Sequence, residues 1–480
     1  MKLILKLIKM IPQDLRQHVP RTIKDCILNF VENKDETLAA DRLRENLAEL
    51  SGRNTSFRAA HGKKVVYILH NSLPYSSGGY AIRTQGLAKG LKQNAWDVNC
   101  ITRPGFPHDL ADFKWNQLPQ LADCIDGVFY RRILEPHWNN VGSNYAYIEQ
   151  AALALEKEFK ELNADAVIAA SNFIVGLMSL LAAKKLRLPF IYEVRGLWEV
   201  TRMSREPRYA NSKHYHTMET WETLVAQHAD MVFTLTGPMR DELVRRGVDR
   251  EKISLLPNAC DTERFRPIEY NAKLAAELGL PPGIPVIGYI GTFVQYEGLD
   301  LLVEACAQLK RQGAVFRLLL VGNENTSGAG VGGITKRIMR IARHQGLGDW
   351  LILTGRVPHN MVEQYYSIID ICPFPRLPLP VTEMVSPMKP LEAMAMAKAV
   401  VASNVGGMKE MLLPEVNGLV FDKGSKDSLA SVLLQLLNNE ELRTQLSEQA
   451  RVWVQQNRNW HAIAESLSLC LDHFVCDAKN

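Results

Sequence analysis

Lys389 and Glu392 stand three residues apart in the stretch SPMKPLEAMAMAKAVVASNVGG, residues 386–407. On a helix that spacing puts both side chains on one face. A lysine brings a full positive charge to an anion, and a carboxylate can accept two hydrogen bonds, as from a diol. The N-terminus of a helix also favours anions through its unpaired N–H groups. Together these parts suit a nucleoside diphosphate, with the diphosphate on Lys389 and the helix end and the ribose on Glu392. An ordinary surface ion pair on a capped helix fits the same two residues equally well.

The surrounding residues predict the elements that would hold this pair. Ser386 reads as an N-cap and Pro387 as the first helical residue, with Pro390 still inside the first turn. Leu391, Met394 and Ala395 give an apolar stripe, Ala399 to Ala402 a short buried strand, and Gly406-Gly407 a tight turn. Upstream, IPVIGYIGTFVQYEGLDLLVEA reads as strand, glycine turn and helix, and FRLLLVG, LILTGRV and IIDICPFPR as further strands alternating with helices. A separate unit opens near Lys63: KKVVYILHN is a strand, SLPYSSGGYAIRTQGLAKGL a glycine loop entering a helix, and VNCIT the next strand. It has no GxGxxG, which argues against dinucleotide binding.

Two clusters in this first unit sit where a doubly wound sheet binds ligands, at the carboxyl ends of its strands. Gly78 and Gly79 let the backbone approach a substrate, and Arg83 is placed to reach its phosphate; a structural turn with a solvated arginine is the equal alternative. IYEVRGLWEVTR ends a strand in Glu193, Arg195, Trp198, Glu199 and Arg202. A charged arginine is a poor proton acceptor, so Arg195 is read as a clamp on sugar or phosphate. Buried ion pairs between Glu193 or Glu199 and Arg195 or Arg202 are the competing account.

At 480 residues the chain is long enough for two or three domains. None of its eight cysteines falls in a CxxC or Cys/His spacing, which fits a reducing cytoplasm and indicates neither a disulfide framework nor a zinc site. The formal net charge is +4. Residues 1–26 hold six basic and two acidic side chains, the same excess as the whole chain, so the rest is neutral. A neutral body argues against nucleic-acid binding. The segment MKLILKLIKMI, residues 1–11, sets Lys2, Lys6 and Lys9 on one face of a short apolar helix. It is too short to span a bilayer and predicts a helix lying in an anionic membrane interface, against the alternative of packing on the body. Residues 34–52 read as a charged linker or contact helix.

LEAMA followed by a strand and GG resembles the donor-site helix of retaining family 4 glycosyltransferases of the GT-B type. The form TEMVSPMKPLEAMA, with YEVRGLWE and IG…YEGLD, resembles a subgroup of bacterial exopolysaccharide-type transferases, including those associated with exosortases. The likeness covers about residues 63–460. It implies an α/β, GT-B architecture: two Rossmann-like doubly wound domains facing a cleft, with a helical N-terminal extension. The expected boundaries are a basic amphipathic extension over 1–60, an acceptor domain over 61–270, a nucleotide-sugar donor domain over 271–458 and a helix crossing back over 459–480.

The resemblance also implies a site. Arg195, Glu199 and Lys389 are its catalytic candidates. Gly291, with a free backbone N–H, Thr292, Arg356, Val357, Arg376, Ser386, Lys389 and Glu392 form the donor side, and Gly78, Gly79, Arg83, Trp198 and Arg202 the acceptor side. The chain departs from the family where Met384 stands for a first glutamate (Glu383 is one place out) and where Thr292 and Glu297 stand for an arginine and a lysine. The missing positive charge is expected from Lys389, Arg356 and Arg376. The implied activity is sugar transfer with retention from a nucleoside diphosphate sugar, a UDP-sugar first among them, to a lipid-linked glycan in bacterial surface polysaccharide synthesis. No cofactor and no metal are expected, and the place is the inner face of the cell membrane. The other readings are an inactive GT-B scaffold in a membrane assembly and a GT-B epimerase or phosphorylase.

Overall fold

The computed structural model describes residues 41–50, 56–60, 62–110, 113, 118–137, 144–324 and 332–476. The interfacial helix expected over residues 1–11 lies outside them.

The first unit is an eight-stranded sheet. Its strands are β1 (Lys64–Leu69), β2 (Asp97–Thr102), β3 (Ala122–Ile125), β4 (Val128–Arg132), β5 (Ala166–Ala170), β6 (Phe190–Val194), β7 (Met231–Thr234) and β8 (Ile253–Leu255), in the order β3-β4-β2-β1-β5-β6-β7-β8. All neighbours are parallel except β3 and β4, a short antiparallel hairpin at one edge that the sequence reading did not anticipate. The central strand β5 is apolar and buried throughout and β6 is buried throughout, with Glu193 as its one charged residue, as a sheet covered on both faces requires. The second unit is a six-stranded parallel sheet: β9 (Val286–Ile290), β10 (Arg317–Val321), β11 (Leu351–Gly355), β12 (Ile371–Phe374), β13 (Ala399–Ser403) and β14 (Leu419–Phe421). Its order is β11-β10-β9-β12-β13-β14. In both sheets the order reverses beside the first strand, β1 or β9, which makes a crevice at its carboxyl end.

The helix over 41–50 is a contact helix, because Leu43 and Leu47 are buried in the core of the first unit. The last helix, Trp460–Cys476, returns to that unit. Its stripe Trp460, Ile463, Leu467 and Leu471 joins the core on the other face of the sheet, against the helix Gly79–Gln93. Burying each such side chain contributes about 1.5–3 kcal/mol. Two glycines make the approach possible: a Cβ at Gly90 would stand 2.4 Å from Ala464 Cβ, and one at Gly86 2.3 Å from the Trp460 ring.

The 386–407 stretch differs in detail from its reading. The helix spans Lys389–Ala395, seven residues, with Met388 rather than Ser386 at its N-cap, so Pro387 lies outside and Pro390 is the first-turn proline. Gly406 and Gly407 begin a one-turn helix, Gly406–Lys409. Their role is space: a Cβ on either would come within 2.4 Å of a backbone oxygen, of Glu383 or of Val385.

Candidate functional site

The carboxyl ends of β9 and β12 and the start of the Lys389–Ala395 helix bring one charged cluster together. Lys389 Nζ donates to the Tyr289 hydroxyl at 2.6 Å and lies 3.8 Å from Glu297 Oε2. Its aliphatic stem lies across Gly291, where a Cβ would stand 2.4 Å from Lys389 Cε. Gly291 also has φ of 150°, a backbone conformation that favours glycine. The Gly291 N–H, expected to face a phosphate, instead donates to Val321 O at 2.9 Å, so that expectation is corrected. The Lys389 side chain is 24% exposed, while that of Glu297 behind it is only 5% exposed.

Electrostatics set each charge state. Burial pushes the Glu297 carboxyl up, but Lys389 and Arg376 pull harder and hold it below the usual carboxylate range. Burial lowers the Lys389 ammonium, and Glu297 works against that fall. Burial pushes the Glu392 carboxyl up to about 7, against the pull of Lys389 and Arg264. The Glu392 carboxyl makes no hydrogen bond to any described residue and is part-exposed, so it is desolvated without being satisfied.

Arg376 is 3% exposed, donates from Nη1 to Val385 O at 2.7 Å and sits 3.6 Å from Glu297. Its Nε, 3.6 Å from Glu297, and its Nη2 make no hydrogen bond to a described residue, so Arg376 chiefly holds the 385 loop from behind. Arg356 is exposed at the end of β11, Val357 packs on the core of the second unit and Thr292 is part-buried after β9. Ser386 accepts from Asn258 Nδ2 at its carbonyl and its hydroxyl, at 2.7 and 3.3 Å, and so ties the loop before the Lys389–Ala395 helix to the first unit.

The first-unit candidates fall into two groups. Gly78 and Gly79 are exposed, and a Cβ at Gly79 would stand 3.3 Å from Met388 Cε, just before the Lys389–Ala395 helix, whereas one at Gly78 would meet nothing within 4 Å. Trp198 is part-exposed, edge-on to the His70 ring at 4.9 Å. Arg202 is exposed, pairs with Glu206 at 3.3 Å and lies over the Tyr209 ring.

Arg83, Arg195 and Glu199 are buried, and their reading as groups that grip or transform a substrate is corrected. Arg195 gives its donors to Glu193, Tyr67, Thr84 and the Tyr80 carbonyl. Arg83 gives its own to Glu193, Leu256 O, Pro257 O and Asn258 Oδ1. Burial would raise the Glu193 carboxyl, but these two guanidinium groups hold it down at about 2. Glu199 accepts from Arg246 at 2.7 Å, both nearly fully buried. The structure thus realises ion pairing for Glu193 and Arg195, and gives Glu199 a different partner. The Arg83–Asn258–Ser386 contacts run from the first unit to the loop before the Lys389–Ala395 helix, and Asn258 was missed although it sits in the PNACD segment that precedes the crossing.

Among the described residues no group of His, Cys, Asp or Glu is arranged to hold a metal ion, and no helix is long and apolar enough to cross a membrane.

The family described as "Glycosyl transferases group 1" matches residues 271–453, and the "Glycosyl transferase 4-like domain" matches residues 78–259. A D-inositol 3-phosphate glycosyltransferase of Nocardia farcinica is 23% identical over 76% of this chain and 78% of its own length. The amylovoran biosynthesis glycosyltransferase AmsK of Erwinia amylovora is 26% identical over 52% of this chain and 58% of its own. Among solved structures, the sucrose-phosphate synthase of Thermosynechococcus elongatus superposes with a TM-score of 0.68 at 22% identity, covering 86% of this chain and all of that one. The Anabaena Alr3699/HepE structure in complex with UDP does so at 0.63 and 16% identity, covering 85% of this chain and 99% of that one. Two parallel-sheet units with a crevice at each reversal of strand order, each matched by its own glycosyltransferase family model, make this chain a glycosyltransferase of the GT-B fold.

Proposed function

We propose that this enzyme transfers a sugar, with retention, from a nucleoside diphosphate sugar, a UDP-sugar first among them, to a lipid-linked glycan of a bacterial surface polysaccharide. The observation that carries the donor side is the pairing of a part-exposed Lys389 with a carboxyl at Glu392 that no described residue satisfies. An ammonium for diphosphate and a free carboxyl for vicinal hydroxyls match the two ends of a nucleoside diphosphate. The UDP complex of the Anabaena relative supports the same donor class.

In this reading the bond from the sugar's anomeric carbon to the diphosphate breaks, and its electron pair leaves with the diphosphate. Lys389 and the Nη2 of Arg376 stabilise the charge that develops there. The acceptor hydroxyl bonds to the same carbon from the face that the diphosphate leaves, and passes its proton to the departing phosphate. No protein base is required, in keeping with the buried, ion-paired state of Arg195 and Glu199.

Calorimetry with UDP, GDP and ADP tests the donor class, and nucleotide release from the matching sugar nucleotides tests turnover. Micromolar binding of at least one, lost in Lys389→Ala, is the expected result. Binding of none would sink the reading.

A further inference from the structure

His70 follows β1 at the carboxyl end of the sheet, in the crevice where the strand order reverses, yet it belongs to none of the pairs described above. Its Nδ1 accepts a hydrogen bond from Arg103 Nε at 3.2 Å. Arg103, just after β2, is itself fixed: it pairs with Asp109, its backbone N–H donates to Leu69 O, and its guanidinium lies over the Phe106 ring. The Trp198 ring stands edge-on to the imidazole at 4.9 Å, from the start of the helix Trp198–Met203. His70 remains part-exposed, and its Nε2 makes no hydrogen bond to a described residue.

These contacts decide the tautomer. A nitrogen that accepts from a guanidinium cannot carry a proton, so the single proton of the neutral ring sits on Nε2. Among the described residues Arg103 is the one charged group that bears on the ring, with Asp109 on its far side. Burial first, then the charge of Arg103, lowers the imidazole to about 3. The ring is therefore uncharged throughout the working range of pH.

We propose that His70 presents its Nε2–H as a fixed, uncharged hydrogen-bond donor to a hydroxyl oxygen of the acceptor sugar, with Arg103 as the positioning residue that sets the tautomer. The location supports the acceptor rather than the donor, because His70 lies on the first unit beside Trp198, whereas Lys389 and Glu392 belong to the second. A neutral donor suits a hydroxyl, whereas a charged imidazolium would compete for the diphosphate. The assignment rests on the transferase reading above.

Two measurements test it. The first follows His70 by long-range nitrogen–proton NMR on histidine-labelled enzyme, with the resonance identified by its loss in His70→Gln. The Nε2–H tautomer is expected, with no protonation down to pH 5. In Arg103→Met the ring is expected to titrate higher than in the wild type, with burial still holding it below its ordinary value of about 6.5. A wild-type ring that carries its proton on Nδ1, or that titrates near neutrality, overturns the proposal. The second measures transfer to octyl hexosides as acceptor probes, using the sugar nucleotide that gives nucleotide release. His70→Phe should raise the acceptor KM about tenfold, the scale of one hydrogen bond, with UDP affinity unchanged. His70→Gln, which keeps an N–H in reach, should recover most of that loss. Equal acceptor KM in wild type and His70→Phe overturns the proposal. Absence of UDP binding to the wild-type enzyme would instead count against the transferase reading, while the NMR result would still decide the tautomer.

Discussion

Replacing Lys389 by alanine changes two things at once, and the structure allows them to be separated. On the sequence alone, loss of a surface lysine leaves folding untouched. In the structure Lys389 is one of two cations on the buried Glu297, at 3.8 Å, with Arg376 at 3.6 Å on the other side. Its removal leaves that carboxylate with a single partner at non-ideal distance, which costs about 1–3 kcal/mol of stability. If Lys389 also holds the donor diphosphate, its loss removes a charge-assisted contact of about 1.5–3 kcal/mol, or roughly 10- to 150-fold in affinity. The double variant Lys389→Ala with Glu297→Gln removes the stranded charge together with its partner. Its resistance to urea should recover most of the single variant's loss, while calorimetric affinity for UDP stays down at least tenfold. If UDP affinity recovers along with stability, Lys389 is only the counter-ion of Glu297 and the donor-site argument fails.

Three further outcomes follow from particular contacts. Glu392 has its carboxyl raised to about 7, so it is mostly protonated at pH 6 and mostly ionised at pH 8. A UDP-sugar whose ribose needs the ionised form should bind up to about tenfold more tightly at pH 8 than at pH 6. Glu392→Gln should flatten that slope, and a slope that persists in the variant would remove Glu392 from the site. A valine at Gly90 forces apart the last helix and the helix Gly79–Gln93, because even its Cβ would meet Ala464 Cβ at 2.4 Å. The expected cost is about 1–3 kcal/mol, read as a lower melting temperature, and an unchanged melt would refute this account of the packing. Deleting residues 1–11 removes three lysines, each attracted to anionic lipid by about 1 kcal/mol. Co-sedimentation with phosphatidylserine vesicles should fall while UDP affinity holds, and undiminished sedimentation would assign the attachment elsewhere.

The fold was largely legible because alternation of apolar strands with amphipathic helices is a local pattern, repeated in both units. The β3–β4 hairpin escaped because its strands are short, with half-exposed faces and no apolar run. The site was legible only where neighbours in sequence are neighbours in space, as with Lys389 and Glu392. Arg83 and Arg195 read the same in one-letter code whether they face a cleft or lie beneath it. A signal was nonetheless present: Arg195 stands two residues after Glu193 at the end of the buried strand β6, a spacing that keeps extended neighbours on one face, and a carboxylate there claims the guanidinium beside it. The exchange of the family's lysine for Glu297 looked like a lost phosphate contact. In space Glu297 lies behind Lys389, from a turn 92 positions earlier in the chain, as part of the cluster that supplies the positive charge. A buried glutamate beside Tyr289 and Gly291 holds a lysine head in one place, so on the proposed reading the departure at Glu297 is met by a cation that enters from another element.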